Sequence, residues 1–264
     1  MMLNGTLTGK IAVVTGGSRG IGRATSIGLA RQGAGLVVNY CDQADAELNQ
    51  RHAASEVVAA IVDSGGKAVA HEADVSDEQA ARGLIDRAVD EFGRIDILVN
   101  NAGICPSQDF LEMPVSLFDR VHAVNLRGAF VSSQQAARHM VRQGNGGRII
   151  TVSSISALVG GSYQAAYCPT KSGLHSMMQS LAILLGPHGI TCNSVGPGEV
   201  DTDMNRILPD YDEIAAQLAN RIPVGRIAQP EDIADPIVFL ASDGARYVNG
   251  AFLLIDGGMF VNLQ

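Results

Sequence analysis

The sequence lacks several features that would mark other classes of protein. It contains no tryptophan, and aromatic residues make up only 5% of its 264 residues, whereas glycine occurs 30 times. This balance favours tight turns and close backbone packing over an aromatic-rich β-sandwich core. No run of about 18 apolar residues occurs, so no membrane-spanning helix is predicted. Residues 1–5 show no basic stretch leading into an apolar one, and we therefore expect no secretory signal and a cytoplasmic protein.

Basic residues are too few to predict a surface for nucleic acid or anionic lipid. The chain has 19 Lys and Arg against 27 Asp and Glu, a formal net charge of −8, whereas such surfaces need clustered cations. Cys41, Cys105, Cys168 and Cys192 are irregularly spaced, and the six histidines are scattered. These patterns favour reduced thiols over a disulfide framework and predict no metal site.

Short apolar stretches alternate along the chain with longer amphipathic ones, which predicts an α/β fold. Several short stretches, such as 36–38 and 97–99, are apolar on both faces, as parallel strands covered on both sides are. The predicted strands are 11–15, 35–40, 67–71, 95–99, 148–152, 191–195 and 252–255. The helical segments include 20–32, 77–92, 115–142 and 163–185, whereas polar residues 42–51 are predicted as a loop leading into a helix.

This alternation predicts a doubly wound, seven-stranded parallel sheet of the Rossmann type, with helices on both faces. We expect a single domain over residues 1–264, because no linker, repeat or low-complexity tract interrupts the pattern. Between the last two predicted strands, a Pro-Gly break at Pro197 and a further proline at Pro209 predict a substrate flap around 197–220.

A glycine-rich segment directly follows the first predicted strand and opens the first helix. Residues 15–22 read Thr-Gly-Gly-Ser-Arg-Gly-Ile-Gly. Such glycines permit positive φ angles and let a pyrophosphate approach the backbone, and the helix N-terminus directs free N–H groups at the anion. A plain turn is the alternative, but the position after strand one favours a dinucleotide site. Its predicted members are Gly16, Ser18, Arg19, Gly20, Ile21 and Gly22.

Three residues in the second half form a candidate catalytic set. Twelve residues separate Ser154 from Tyr167, and three separate Tyr167 from Lys171, so the last two share one face of a helix. A lysine on the next turn favours the phenolate and is expected to lower the tyrosine pKa. Ser154 ends the fifth predicted strand, where its hydroxyl can bond the same substrate oxygen. This set predicts hydride transfer between NAD(P) and an alcohol or carbonyl carbon, with Tyr167 as acid/base.

With these motifs the sequence resembles the short-chain dehydrogenase/reductase superfamily, from Gly9 to Gly258. The other matching motifs are Asp74-Val75, Asn100-Asn101-Ala102-Gly103, Asn125, Tyr167-Cys168-Pro169-Thr170-Lys171 and Pro197-Gly198. The resemblance implies a homotetramer in which segments 115–142 and 163–185 pack against symmetry mates and the apolar tail 259–263 lies near a subunit boundary.

The resemblance also implies roles for individual residues. Asn125 would help to hold a water that relays protons past the lysine, although a hydrogen bond inside a helix is the plainer interpretation. Asn101 would stabilise the sheet near the adenosine ribose. The remaining residues implied to contact the cofactor, besides Tyr167 and Lys171, are Asp74, Val75, Gly103, Pro197, Gly198, Val200 and Thr202.

The end of the second predicted strand bears on the choice of nicotinamide. A carboxylate there would bond the adenosine ribose and reject a 2′-phosphate, but the strand ends in Asn39 and Tyr40, which we also place in the cofactor site. Arg19 can reach a 2′-phosphate, and Asp42 just beyond could weaken that preference. We therefore expect NADP to be preferred, with NAD possible.

A narrower resemblance links the chain to bacterial and fungal L-rhamnose 1-dehydrogenases, which oxidise a sugar to its lactone. It rests on residues 101–106, 153–161, 169–171 and the Phe-Val-Asn-Leu-Gln ending at 260–264. With Ser154 and Tyr167, the implied sugar-pocket residues are Ser156, Gln164, Glu199 and Asn205. Each of the polar three, Ser156, Gln164 and Asn205, could instead be a loop or capping residue.

The chain departs from that group at two places. Ala165-Ala166 stands where the group has Thr-His, and Glu199 stands where it has Thr in a Leu-Pro-Gly-Thr segment. Glu199 could face solvent, accept hydrogen bonds from substrate hydroxyls, or pair with a cationic substrate. A general ketone or 3-oxoacyl reductase is therefore an alternative function, and a non-catalytic nucleotide-binding regulator is another.

Overall fold

The fold is built on seven strands that pair in one fully parallel sheet. In the computed structural model, the described residues are 5–47, 50, 52–206 and 211–262. The strand order is β3-β2-β1-β4-β5-β6-β7, which confirms the predicted doubly wound sheet. The strands are β1 (Ile11–Val14), β2 (Gly35–Tyr40), β3 (Ala68–Glu72), β4 (Ile97–Asn100), β5 (Gly147–Val152), β6 (Ile190–Pro197) and β7 (Phe252–Ile255). Their bounds lie within two residues of the predicted ones.

Helices cover both faces of the sheet. They are α1 (Gly20–Arg31), α2 (Asp42–Glu47), α3 (Ala53–Asp63), α4 (Glu78–Phe92), α5 (Val115–His122), α6 (Gly128–Gln143), α7 (Tyr167–Leu185), α8 (Asp203–Arg206), α9 (Tyr211–Arg221) and α10 (Pro230–Ala241). None of the helices in the described ranges is long and apolar enough to cross a membrane.

Two apolar layers hold the sheet between the helices. Alternate residues of a strand point to opposite faces, so Ala12 and Val14 enter one layer while Val13 enters the other. The first layer includes Leu29 of α1, Val57 and Ile61 of α3, and Ile233, Ile237 and Leu240 of α10. The second includes Leu84 and Ile85 of α4, Ala136 and Met140 of α6, and Met178 and Ala182 of α7. Burial on both faces explains why the strands read as continuous apolar runs.

Three segments differ from the sequence-based prediction. The predicted helix 115–142 is interrupted by a π-helical turn, Ala123–Arg127. The predicted helix 163–185 begins only at Tyr167, because Tyr163 adopts a left-handed φ of 61° that no helix continues. Polar residues at the start of 42–51 form α2 instead of a loop; positions 48, 49 and 51 lie outside the described residues.

The predicted flap leaves the sheet at the end of β6. Of residues 197–220, those at 207–210, including Pro209, lie outside the described ones. The described part contains α8 and most of α9, and an isolated parallel bridge joins Val200 to Ala228. This bridge ties the start of the flap to the segment that leads into α10.

Candidate active site

The glycine-rich loop lies at the carboxyl end of β1 and leads into α1. Gly16 and Gly20 have φ angles of 58° and 48°, and a Cβ at Gly22 would lie 2.0 Å from the Gly16 oxygen. Among the described residues, no side chain caps the α1 N-terminus at Arg19. The first-turn N–H groups of α1 are therefore available to an anion, and the loop fits a pyrophosphate.

Asn39 supports this loop from inside the protein. Its side chain is 2% exposed. The amide oxygen accepts a hydrogen bond from the Gly16 N–H at 3.0 Å, and the amide nitrogen donates to backbone carbonyls of Tyr40, His71 and Ala73. Because these bonds use the capacity of the amide, Asn39 anchors the loop to β2 and β3. A direct contact of Asn39 with the cofactor stays a prediction.

A second anchor joins the loop to β4. The Thr15 hydroxyl accepts hydrogen bonds from the N–H groups of Asn101 and Ala102, each at 2.9 Å. The Asn101 amide donates in return to the Thr15 and Gly16 carbonyls, each at 2.9 Å. Sequence reasoning missed Thr15, because a threonine after a strand carries no chemical signal of its own.

Ser154, Tyr167 and Lys171 meet beside this loop. Ser154 follows β5, whereas Tyr167 and Lys171 lie on the first two turns of α7. The Lys171 ammonium is buried, donates to the Val152 carbonyl at 2.9 Å and lies 5.3 Å from the Tyr167 ring centroid. The Ser153 hydroxyl donates to the Lys171 carbonyl at 2.8 Å, which fastens α7 to the end of β5. The structure thus brings together all three residues of the predicted set.

The electrostatics of this cluster differ from the sequence-based expectation. Burial raises the pKa of Tyr167 above its ordinary value, the charge of Cys105 adds to the rise, and a hydrogen bond with Ser154 lowers it in part. Burial also lowers the pKa of Lys171, to about 8. The expected lowering of the Tyr167 pKa by Lys171 is therefore not found, because removing both groups from water disfavours both charged forms.

Asn125 lies next to this cluster within the π-helical turn. Its amide oxygen accepts from the Ile104 N–H at 2.8 Å, and its amide nitrogen donates to the Ile104 carbonyl at 3.0 Å. A Cβ at Gly103 would lie 3.4 Å from the Asn125 oxygen and 3.5 Å from the Lys171 ammonium. Asn125 and Lys171 therefore converge on one backbone position, Gly103. Single π turns often occur at functional sites.

The first residues of the flap lie over the cofactor loop. The Gly198 N–H donates to the Ile255 carbonyl at 3.1 Å. This bond extends the pairing of β6 with β7 by one residue beyond Pro197. Val200 is buried. A Cβ at Gly20 would lie 3.2 Å from the Thr202 methyl group, so Thr202 packs against the phosphate loop.

The predicted sugar-pocket residues separate into two groups. Ser156 lies beside Ser154, whose hydroxyl accepts from the Ser156 N–H at 3.0 Å, and the Ser156 hydroxyl donates to Gln164 at 3.1 Å. Asn205, in α8, is different, since its amide donates to the Val200 carbonyl at 2.8 Å. Its side chain thus braces the start of the flap, and its role in a sugar pocket stays a prediction.

Glu199 lies near Tyr167 and is only partly exposed to solvent. It is half-buried, burial raises its pKa, and its charge contributes to raising the pKa values of Tyr167 and Cys105. Within the described ranges, its carboxylate has no hydrogen-bond or ion-pair partner in the protein. This position disfavours the interpretation in which Glu199 faces solvent. Its carboxylate oxygens can accept hydrogen bonds from a ligand near Tyr167.

Asp74 and Val75, which the resemblance implies as cofactor contacts, are held by other parts of the chain. The Asp74 carboxylate accepts from the Ser76 N–H at 2.9 Å and from Arg120 at 3.0 Å. Val75 is buried under α6, where a Cβ at Gly128 would lie 2.7 Å from its carbonyl oxygen. Asp74 therefore orders the turn after β3, and Tyr40 stands partly exposed at the end of β2.

Sequence reasoning also missed Asp45. This residue of α2 is 1% exposed and lies against Ser18 and Arg19 of the glycine-rich loop. It falls in the polar segment predicted as a loop, where helical spacing gave no indication that one carboxylate turns inward. By contrast Asp42, the carboxylate singled out from the sequence, is exposed.

Comparison with known proteins gives consistent similarities over nearly the full chain. A family profile described as enoyl-(acyl carrier protein) reductase matches residues 16–260. The chain is 52% identical over 263 residues to an L-rhamnose 1-dehydrogenase (NAD(P)(+)) of Sphingomonas sp. strain SKA58, covering 98% of this chain and 99% of the relative. It is 44% identical over 256 residues to an L-rhamnose 1-dehydrogenase (NADP(+)) of Thermoplasma acidophilum, covering 97% and 98%.

A solved structure supports the same relationship. A protein from Beutenbergia cavernae, assigned as an NAD(P)-dependent gluconate 5-dehydrogenase and holding NADP at low occupancy, superposes with a TM-score of 0.89. It is 37% identical in sequence, and the match covers 98% of this chain and 99% of that one.

Burial of Lys171 predicts a stability that depends on pH. With a folded-state pKa of about 8 against 10.5 in the unfolded chain, the folded state loses this proton first as pH rises. The buried cation thus destabilises the fold below pH 8, and the free energy of unfolding rises between about pH 8 and 10.5. Measured by urea unfolding, the stability of the wild type relative to Lys171→Met should increase by up to about 3 kcal/mol over this window.

Lys67→Met, which removes an exposed lysine, is the matched control and should follow the wild type at every pH. Parallel pH curves for the wild type and Lys171→Met would show that Lys171 is not a destabilising buried cation.

Proposed function

Because the chain belongs to the short-chain dehydrogenase/reductase family, we propose that it is a sugar 1-dehydrogenase that oxidises L-rhamnose or a related aldose to the lactone. As a member of this family, the chain is an NAD(P)-dependent oxidoreductase that acts on CH–OH groups. Its substrate and the roles of its residues are what we propose. The observation that carries it is the similarity to L-rhamnose 1-dehydrogenases over nearly the whole chain. Ser156 and Gln164 beside Ser154 support a polar pocket suited to a sugar.

In the proposed reaction, Tyr167 accepts the proton of the anomeric hydroxyl while the hydrogen on the same carbon leaves as hydride. The C–O bond becomes the carbonyl of the lactone, and Ser154 donates a hydrogen bond to that oxygen. A nicotinamide held beside Tyr167 would supply the hydride acceptor and, in its oxidised form, a positive charge. Since a nearby positive charge favours a phenolate, this charge opposes the burial that raises the Tyr167 pKa.

Lys171 and Asn125 are proposed to serve the proton that Tyr167 takes up. The Lys171 ammonium, held by the Val152 carbonyl, lies close enough to the Tyr167 ring to act on the phenolate. Asn125, fixed to Ile104 by two hydrogen bonds, borders the same space at Gly103. From this arrangement we infer a proton path that leaves Tyr167 past Lys171 and Asn125.

For the cofactor, we propose binding of the pyrophosphate by the glycine-rich loop and α1, with NADP preferred and NAD also used. Arg19 precedes the first turn of α1 and offers a guanidinium to a 2′-phosphate. Thr202 and Val200, from the flap, are proposed to hold the nicotinamide carboxamide. The packing of Thr202 against Gly20 supports this placement.

Glu199 is proposed to accept a hydrogen bond from a substrate hydroxyl. An ionised carboxylate offers only acceptors, which suits a polyol. Its half-buried position, with no partner in the described part of the chain, leaves those acceptors for a ligand. Since the resemblance to the rhamnose group implies threonine at this position, Glu199 is proposed as the residue by which this chain favours a particular aldose.

A homotetramer is proposed as the working assembly. Large apolar side chains are exposed along α5 and α6, with Val115 74%, Phe118 38% and Phe130 49% exposed, and at the end of α7, where Ile183 is 78% exposed. Large apolar side chains that are exposed on several helices support an interaction site there. These helices are the ones expected to pack against symmetry mates.

Replacing Tyr167 tests the chemistry. Tyr167→Phe removes the phenolic oxygen that takes up the proton, and we expect a loss of about 10²–10⁴ in turnover, followed as NADPH absorbance with L-rhamnose and a panel of aldoses and ketones. Tyr247→Phe, at a fully exposed tyrosine, should be unchanged. A Tyr167→Phe enzyme with more than about a tenth of wild-type turnover would refute the role of Tyr167. A wild-type enzyme that oxidises ketols or reduces ketones but oxidises no aldose would refute the sugar assignment.

Replacing Glu199 tests the substrate class. Glu199→Thr should lower kcat/KM for the aldose that the wild type prefers. The loss should correspond to about 1.5–3 kcal/mol of transition-state stabilisation, the scale of a hydrogen bond to a charged group. The ranking of aldoses by kcat/KM should also change. Glu56→Thr, at an exposed carboxylate of α3, is the control. An unaltered ranking would contradict the proposal. A loss confined to amine-bearing substrates that shrinks with added salt would indicate a cation partner instead.

Replacing Phe130 tests the assembly. Phe130→Glu places a charge on the exposed α6 surface and should reduce the tetramer to smaller species in light scattering. Val62→Glu changes an equally exposed residue, 49% in both cases, on α3 and should leave the mass unchanged. A wild-type monomer at micromolar concentration would contradict the proposed tetramer.

A further inference from the structure

Asp45 is a buried carboxylate that packs onto the cofactor loop. It lies in α2, just after β2 ends at Tyr40, and only 2% of its side chain is exposed. The Ser18 hydroxyl lies 3.4 Å from Asp45 Oδ1, and the Arg19 Nε lies 3.1 Å from the same oxygen. One carboxylate oxygen thus faces two consecutive residues of the phosphate loop.

The pairing leaves Asp45 incompletely satisfied. Its second oxygen, Oδ2, is buried with no hydrogen-bond partner in the described ranges, and Arg19 Nε approaches Oδ1 without the geometry of a hydrogen bond. Burial raises the pKa of Asp45, while the charge of Arg19 and the Ser18 hydroxyl lower it. The attraction between Arg19 and Asp45 is therefore mainly one of opposite charges in a poorly solvated place, where such attractions are strong.

Other acidic groups gather at the same end of β2. The charges of Asp42, Glu72 and Asp45 each raise the pKa of Tyr40, after burial, so carboxylates from α2 and the end of β3 surround that residue. Arg19 is the basic side chain that contacts Asp45 there. A phosphate entering this region meets a guanidinium that is already paired and several carboxylates that repel it.

This region is where a dinucleotide's adenosine ribose is expected. In open parallel sheets the ribose lies beyond the carboxyl end of β2, where a carboxylate selects the 2′-hydroxyl and an arginine accommodates a 2′-phosphate. Here no carboxylate ends β2 itself. Asp45, reached through α2, occupies the neighbourhood instead and does so in contact with Arg19.

We propose that Asp45 is a specificity-determining residue for the cofactor, which engages Arg19 and so limits the advantage that a 2′-phosphate gains from that guanidinium. The proposal rests on the proposed cofactor site and qualifies its NADP preference. It accounts for use of NAD beside NADP without a carboxylate at the end of β2. Removing the Asp45 charge should therefore create a strongly NADP-selective protein.

The test measures nucleotide binding directly, by calorimetry, with two fragments that differ only in the phosphate. Adenosine 2′,5′-bisphosphate and 5′-AMP are titrated into the wild type and Asp45→Asn, and the ratio of their dissociation constants is compared. Asp45→Asn should tighten the bisphosphate by about tenfold, the scale of one charge-assisted contact, and leave 5′-AMP within about twofold. Dissociation constants for NADPH and NADH should shift in the same direction.

Glu56→Gln is the matched control, since it removes an exposed carboxylate of the following helix, α3, that is not among the carboxylates around Tyr40, and it should leave the ratio within about twofold because of solvent screening. If Asp45→Asn does not fold, Asp45→Ser replaces it with the same expectation. An unchanged ratio, or equal weakening of both fragments, would overturn the role of Asp45 while the proposed cofactor site stands. Failure of the wild type to bind either fragment would overturn both.

Discussion

Parallel pairing of the central strands is the constraint on which the site depends. Since β1, β4, β5 and β6 run in the same direction, the segments that follow them leave the sheet at one edge. The phosphate loop after β1, Asn101 after β4, Ser154 after β5 and the flap after β6 therefore become neighbours, although nearly 200 residues separate the first from the last. In an antiparallel sheet, half of these segments would lie at the opposite edge.

Hydrogen bonds to the backbone turn this edge into a rigid surface. Thr15 and Asn101 bind the phosphate loop to β4, and Asn39 binds it to β2 and β3. On the other side of the site, Ser153 and Lys171 bind α7 to β5. Each of these polar side chains is paired with the backbone, as buried polar groups need to be. The positions of the phosphate loop and of α7 relative to each other are therefore fixed by the sheet, to which both are hydrogen-bonded.

Two carboxylates depart from this full pairing, and both lie near the expected ligands. Among the residues that the structure describes, the half-buried Glu199 carboxylate near Tyr167 has no partner, and Asp45, buried against Arg19, has one oxygen without a hydrogen bond. A buried carboxylate without full hydrogen bonding costs free energy, so neither is explained by stability of the fold. The anchoring residues are explained by the stability of the cofactor loop and of α7, whereas these two carboxylates are the residues to which we assign, as proposals, the choice of sugar and of nicotinamide.

The sequence by itself determined the sheet, the strand positions and the membership of the catalytic cluster. Apolar runs, glycine spacing and the i, i+4 relation of Tyr167 and Lys171 are local patterns. Such patterns can be read from the sequence because they depend only on residues that are near one another in the chain. Only the tertiary structure decided which way Asn39, Asp45, Glu199 and Asn205 point, that a π turn surrounds Asn125, and that burial raises the Tyr167 pKa. These properties depend on what lies across the sheet edge from each residue, and desolvation is a sum over neighbours that are distant in sequence.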